Sequence, residues 1–181
     1  FQESIDKFLE DTVTVDALRS YRTGEDDNLI DDVFNGLNEL GLSGLIIPEE
    51  YGCLGLDSLF AISVSESLGK GVAPYPFIGS FLIAPFLINK LGSDSQKQKY
   101  LPSIANGEYR FAVALTEMTG RRIEKGIQSS KQKLSGQSLF VMDDIHSTHY
   151  LILDSDGALH IVEAEESGLE KVELKLFRIF V

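Results

Sequence analysis

The chain has 181 residues, of which 43% are hydrophobic and 24% charged, with a net charge of −12. This is the composition of a globular protein, large enough for one sizeable domain or two small ones. Residues 1–108 hold 7 basic against 17 acidic side chains, and residues 109–181 hold 9 against 11, so the first half repels phosphate backbones and no nucleic-acid partner is expected.

Residues 3–22 carry Ile5, Phe8, Leu9, Val15 and Leu18 near helical spacing and read as one helix. An acidic linker follows, and Ile30, Val33, Phe34, Leu37 and Leu40 then form one helical stripe. Asp31 and Asp32 sit at its N-terminal end, where the macrodipole favours them, and Gly41 stands where a closing glycine belongs. Residues 42–56 have a short apolar run stopped by Pro48 and a compact turn bracketed by Gly52 and Gly55. Asp57 and Ser58 are candidate caps for a helix over residues 59–68, ended by Gly69 and Gly71. The prolines of residues 73–77 require extended backbone. Residues 77–89 are apolar almost all round and read as a buried helix that Pro85 bends or divides. Ser93 and Gln96 have capping-box spacing for a short helix to Tyr100, with another helical turn from Pro102.

After Glu108 the pattern changes from helix to strand. Strands are expected over residues 109–115, 127–134, 138–142, 150–153, 159–162 and 172–176, with Asp156-Gly157 as a hairpin turn. The fold class is therefore α+β: an all-α domain over residues 1–108, then a small β-sandwich or barrel over residues 109–181. The chain starts without Met and stops inside an apolar run, so it reads as a fragment. Its acidic, amphipathic start is unlike a signal peptide, and residues 77–88 are too short for a membrane span. The single cysteine, Cys53, excludes an internal disulfide and fits a reducing, cytoplasmic setting.

Several segments carry a family resemblance. LGLSGLIIPEEYGCLGL (residues 40–56) resembles the "LG(L/I)xGLxxPEEYGGLGL" segment of the acyl-CoA dehydrogenases, with Cys53 where Gly is usual. LGSDSQKQKYLPSIANGE (residues 91–108) is similar to the family's "(F/L)GSxxQKxKYLPxLAxGE". Leu115-Thr-Glu matches the start of the family's "LTEPxxGSD" flavin loop, and LSGQSLFVM (residues 134–142) resembles its "LNGxKxxxT" strand. The resemblance covers essentially the whole chain. It implies the family's N-terminal helical and middle β domains, with the C-terminal four-helix domain absent.

The resemblance further implies FAD-dependent oxidation of the Cα–Cβ bond of an acyl-CoA, with electrons passed to an electron-transfer flavoprotein and sites built across subunits of a homo- or hetero-oligomer. In the family the base is a Glu of the C-terminal domain, so none of the 28 acidic residues here is assigned that role, and the chain alone is expected to be inactive. Carried over by position, Val113, Leu115 and Thr116 would lie along the flavin, Phe140 in the place of a ring-stacking aromatic, and Met142 in the place of a hydrogen-bonding Thr. The chain departs from the pattern at Met118, at Arg121, Arg122 and Ile123 in place of Gly-Ser-Asp, and at Ser138 in place of Lys. Arg121 and Arg122 either grip a phosphate or fill its space. A thioether is only a weak acceptor. Residues 73–88 resemble the branch acting on bulky substrates such as sterol side chains, in which unlike subunits pair. Two readings follow: an FAD-binding enzyme subunit, or a non-catalytic structural subunit with a degenerate flavin site.

Other groups have plainer readings. His146, His149, Asp143, Asp144 and His160 are residue types that ligate metals, but their spacing is loose and no metal is expected; they read as exposed loop histidines and their neighbours. Glu49-Glu50 reads as a solvated turn, Cys53 as packing, and the acidic run 25–32 as a solvated helix entrance. The Phe and Leu residues of 77–88 suit an acyl tunnel and plain core packing equally.

Overall fold

The computed structural model describes residues 1–75, 77–115, 126–131 and 133–172. Residues 3–22 form two helices rather than one, α1 (Gln2–Thr12) and α2 (Val15–Thr23). Thr14 makes the break: its backbone is extended, and its side chain accepts a hydrogen bond from Ala17 N–H at 3.2 Å, starting a new helix. α3 (Leu29–Glu39) buries Leu29, Ile30, Val33, Phe34 and Leu37, and Gly41 follows it in the left-handed conformation (φ +84°). α1 crosses α3 closely because Gly36 has no side chain; a Cβ there would lie 2.1 Å from the Phe8 ring.

Residues 42–57 turn back on themselves. Leu54 N–H donates to Gly44 C=O, Gly55 N–H to Ile47 C=O and Leu56 N–H to Leu45 C=O. Cys53 fills this loop, half-buried beside Gly44, and burial pushes its thiol pKa up, as suits packing rather than reaction. α4 (Ser58–Lys70) is capped by the Asp57 carboxylate, which accepts from Leu59 N–H at 2.8 Å. It runs through Gly69 and ends at Gly71.

The apolar segment after residue 77 divides at Pro85, into a π-helix (Ile78–Ile83) and then α5 (Ala84–Leu91). A proline inside a helix clashes with the carbonyl four residues back, and the wider π turn ahead of it relieves that contact. α6 (Asp94–Ala105) carries the complete Ser93–Gln96 capping box. It continues through Pro102, where a break was expected; only one donor is lost, close to the C-terminal end.

β1 (Phe111–Ala114) pairs in parallel with β4 (His149–Leu153), and β4 pairs antiparallel with β5 (Leu159–Glu163). The β4–β5 turn is tied by Asp154, whose carboxylate accepts from Asp156 and Ala158 N–H groups. It also pairs with His160, which holds it well below the usual carboxylate range. Residues 127–134 form a hairpin, β2 (Gln128–Ser130) with β3 (Lys133–Ser135), turned at Lys131 with φ +50°. The strand expected over residues 138–142 shrinks to one bridge between Met142 and Val113, because Phe140 (φ +56°) and Asp143 (φ +63°) bend the chain on either side. Val172 lies outside any strand, and residues 173–176 are outside the described residues. No helix among the described residues is long and apolar enough to cross a membrane.

Two apolar clusters hold these elements. One gathers α1, α3, α4 and the π-helix around Phe34, Phe81 and Tyr75. The other joins helices to sheet through Ala84, Ile88, Leu101, Ile104, Phe111, Val113 and Leu151. Leu101→Ala should therefore cost about 2–5 kcal/mol, read as a lower urea midpoint. Leu91→Ala, at a position 68% exposed, should change stability by less than about 0.5 kcal/mol.

Candidate functional site

β1 leads out of the core with Ala114 and ends against an apolar cavity at Leu115. The cavity is about 350 Å³ and is lined by Ile46, Ala61 of α4, Leu82 and Ile83 of the π-helix, Phe86 and Leu87 of α5, and Leu115. All seven side chains are hydrocarbon. The apolar residues of 77–88 thus serve both roles foreseen for them: Phe77, Phe81 and Ile88 pack inward, while Leu82, Ile83, Phe86 and Leu87 face the cavity.

The outer edge of β1 is closed by Met142. Val113 N–H donates to Met142 C=O at 2.9 Å, and Met142 N–H donates to Val113 C=O at 3.0 Å. Val113 is fully buried, so neither its side chain nor its backbone is free for a ligand. Met142 and Leu115 pack against the same cluster, partly buried. Phe140 stands out at 67% exposure. Val113, Leu115 and Met142 therefore come together at one corner, with Phe140 beside them on the surface. Thr116, Arg121 and Arg122 lie outside the described residues.

The loop carrying Met142 is fastened to the helices by residues that sequence reasoning did not single out for this. The Asp143 carboxylate accepts from Gly79 N–H and, at 3.1 Å, from Ser80 N–H, at the first turn of the π-helix. Burial pushes the Asp143 carboxyl up, and these two donors oppose that. Ser80 is itself buried, and its hydroxyl accepts from Phe111 N–H at 3.2 Å. A Cβ on Gly79 would sit 2.7 Å from the Asp143 carboxylate. One signal was legible: a Gly-Ser pair at the head of an otherwise apolar helix leaves room and a hydroxyl for something polar.

Arg110 makes a second tie. Its guanidinium bonds Asp31 at 2.6 Å and stacks 3.7 Å over the Phe34 ring, while His146 Nδ1 lies 3.1 Å from the same carboxylate. Arg110 holds the Asp31 carboxyl below its ordinary value. Asp31 is thus a cross-link from α3 to the strand region, not merely part of a solvated helix entrance. Glu49 and Glu50 are exposed.

The histidines take separate places. His146 is half exposed on Asp31, and His160 pairs with Asp154. His149 is buried, not an exposed loop residue; Tyr100, Tyr109 and Phe111 surround its ring, and only Nδ1 has a partner, Thr148 Oγ1 at 2.9 Å. The period-2 pattern of β4 placed it inward, which was the available clue. Among the described residues no group of three or more His, Cys, Asp or Glu is arranged to hold a metal.

The family model for the acyl-CoA dehydrogenase N-terminal domain matches residues 1–108. The chain belongs to the acyl-CoA dehydrogenase family. It is 31% identical over 143 residues to the mitochondrial isovaleryl-CoA dehydrogenase of Arabidopsis thaliana, covering 75% of this chain and 34% of that protein. A solved steroid ACAD, Tcur3481-Tcur3483, superposes with a TM-score of 0.76 at 27% identity over 92% of this chain and 48% of that one. An acyl-CoA dehydrogenase of Bacillus anthracis, solved complexed with FAD, shares the fold with a TM-score of 0.69 at 23% identity, covering 96% of this chain and 32% of that one. The chain thus spans about a third of the curated relative and up to half of these solved chains.

Burial holds the His149 imidazole below its ordinary pKa of 6.5, so its neutral form belongs to the fold. Stability from this residue is complete above that value and is lost as pH falls below it, because the unfolded chain then binds the extra proton. Thermal melts of the wild-type protein should drop between pH 7.5 and 5, and His149→Phe should flatten part of that slope.

Proposed function

We propose that this chain forms the acyl-binding wall and one side of the flavin site of an FAD-dependent acyl-CoA dehydrogenase. The reaction removes hydrogen across the Cα–Cβ bond of a CoA thioester, and the electrons go on to an electron-transfer flavoprotein. The observation that carries this reading is the all-hydrocarbon cavity ending at Leu115, the residue that opens the Leu-Thr-Glu motif. Burying an acyl chain there releases water from both surfaces, worth about 0.8 kcal/mol per methylene. The same wall keeps water from the reacting carbons. Among the described candidates, Phe140 offers an exposed ring and Leu115 and Met142 offer apolar contact, which fits the face of an isoalloxazine. FAD, when bound, supplies the hydride acceptor. Thr116, Arg121 and Arg122 are proposed as its polar contacts, Thr116 through its hydroxyl and the arginines through phosphate charge. No acidic residue of this chain is proposed as the base. The domain division at residue 108 is kept as part of this proposal, as is assembly with a like or unlike subunit.

One observation favours a structural-subunit role instead. The backbone polar groups of Val113 and Met142 are spent on each other, and the Met142 thioether cannot donate. A visible absorbance scan of the full protein, purified without added FAD, separates the two. The enzyme reading expects a flavin spectrum that survives gel filtration, and about tenfold weaker flavin retention in Phe140→Ala. A protein that stays colourless in excess FAD favours the structural role.

A further inference from the structure

The cavity also carries information about which acyl group it accepts, and this inference rests on the acyl-CoA reading above. Its lining presents no hydroxyl, amide or charged side chain. A carboxylate or hydroxyl buried there would lose its water with nothing in the lining to replace it. Sites that cannot pair a polar substituent discriminate against it, and each methylene that fits or fails to fit changes affinity by roughly 10-fold or more. The size is informative as well. At about 30 Å³ per group of methylene or water size, 350 Å³ holds on the order of ten such groups.

Ala61 is the smallest lining side chain and is 7% exposed, whereas Phe86 is 51% exposed. Ala61 therefore lies at a closed part of the wall and Phe86 at the mouth. Any larger side chain at position 61 would take volume from the cavity's closed end. Its neighbours on α4, Leu59, Phe60 and Ile62, face outward and leave the cavity unaffected.

We propose that the cavity takes an uncharged hydrocarbon acyl group of about ten carbons, and that Ala61 is the specificity-determining residue that sets how long or bulky that group can be. Short acyl groups leave the cavity part-empty, and acyl groups ending in a carboxylate are rejected.

The test is calorimetric titration of the full protein with four probes: decanoyl-CoA, isovaleryl-CoA, decanedioyl-CoA and CoA itself. Decanoyl-CoA should bind about tenfold or more tighter than the five-carbon thioester and than the thioester with a terminal carboxylate. In Ala61→Phe the preference for decanoyl-CoA over isovaleryl-CoA should fall by about tenfold. If that variant does not fold, Ala61→Val is read in the same way, with a smaller fall expected. Equal binding of decanoyl-CoA and decanedioyl-CoA, or an unchanged preference in the folded Ala61 variant, overturns the inference while leaving the acyl-CoA reading standing. Three thioesters that bind no better than CoA alone overturn that reading and the inference with it.

Discussion

The first N–H groups of any helix have no partner within it. In the helix that begins at Ile78 those groups lie where the helices meet the sheet, and the buried carboxylate of Asp143 takes two of them, Gly79 and Ser80. Leaving them unpaired would cost about 1–3 kcal/mol each. The arrangement only closes because Gly79 lacks a Cβ and because Asp143 adopts a left-handed backbone. Ser80 adds a third link by accepting from Phe111 N–H at the start of β1. One small knot of polar groups thus aligns a helix, a loop and a strand inside largely apolar surroundings.

The site follows from that alignment. The π-helix held by Asp143 contributes Leu82 and Ile83 to the cavity, and the strand held by Ser80 delivers Leu115 to its end. The loop on the other side of Asp143 brings Met142 onto the free edge of β1, leaving Phe140 at the surface. Arg110, gripping Asp31 and stacked on Phe34, fixes the same junction from the far side of α3. The apolar cluster around Leu101, Phe111 and Leu151 fills the space between these ties. Acyl wall and flavin side are therefore parts of one packed junction.

Much of this was legible in the chain. The stripe of α3, the Ser93–Gln96 box, the Asp156-Gly157 turn and the family segments at residues 40–56 and 91–108 rest on local chemistry, which a sequence displays directly. The misses rest on partners distant in sequence. Residues 138–142 looked like a strand because their side chains suit one, yet Asp143 must reach Gly79, and that reach bends the backbone out of the ladder. Residues 127–134 looked like one strand because Lys131 and its neighbours carry no glycine to mark the turn. Asp31 looked like part of a solvated acidic run because its partner, Arg110, lies 79 positions away. Even the helix broken at Thr14 follows this logic in miniature: a capping hydroxyl outweighed a hydrophobic period.

The central claim is that the Asp143 knot holds the helical wall and the strand edge of the site together. Native-state hydrogen exchange, comparing wild type with Asp143→Ala, tests it most directly. The account predicts that the amides of Gly79, Ser80, Phe111, Val113 and Met142 lose protection together in the variant, while those of α1 and α3 keep theirs. Faster exchange confined to Gly79 and Ser80, with Val113 and Met142 unchanged, would contradict it.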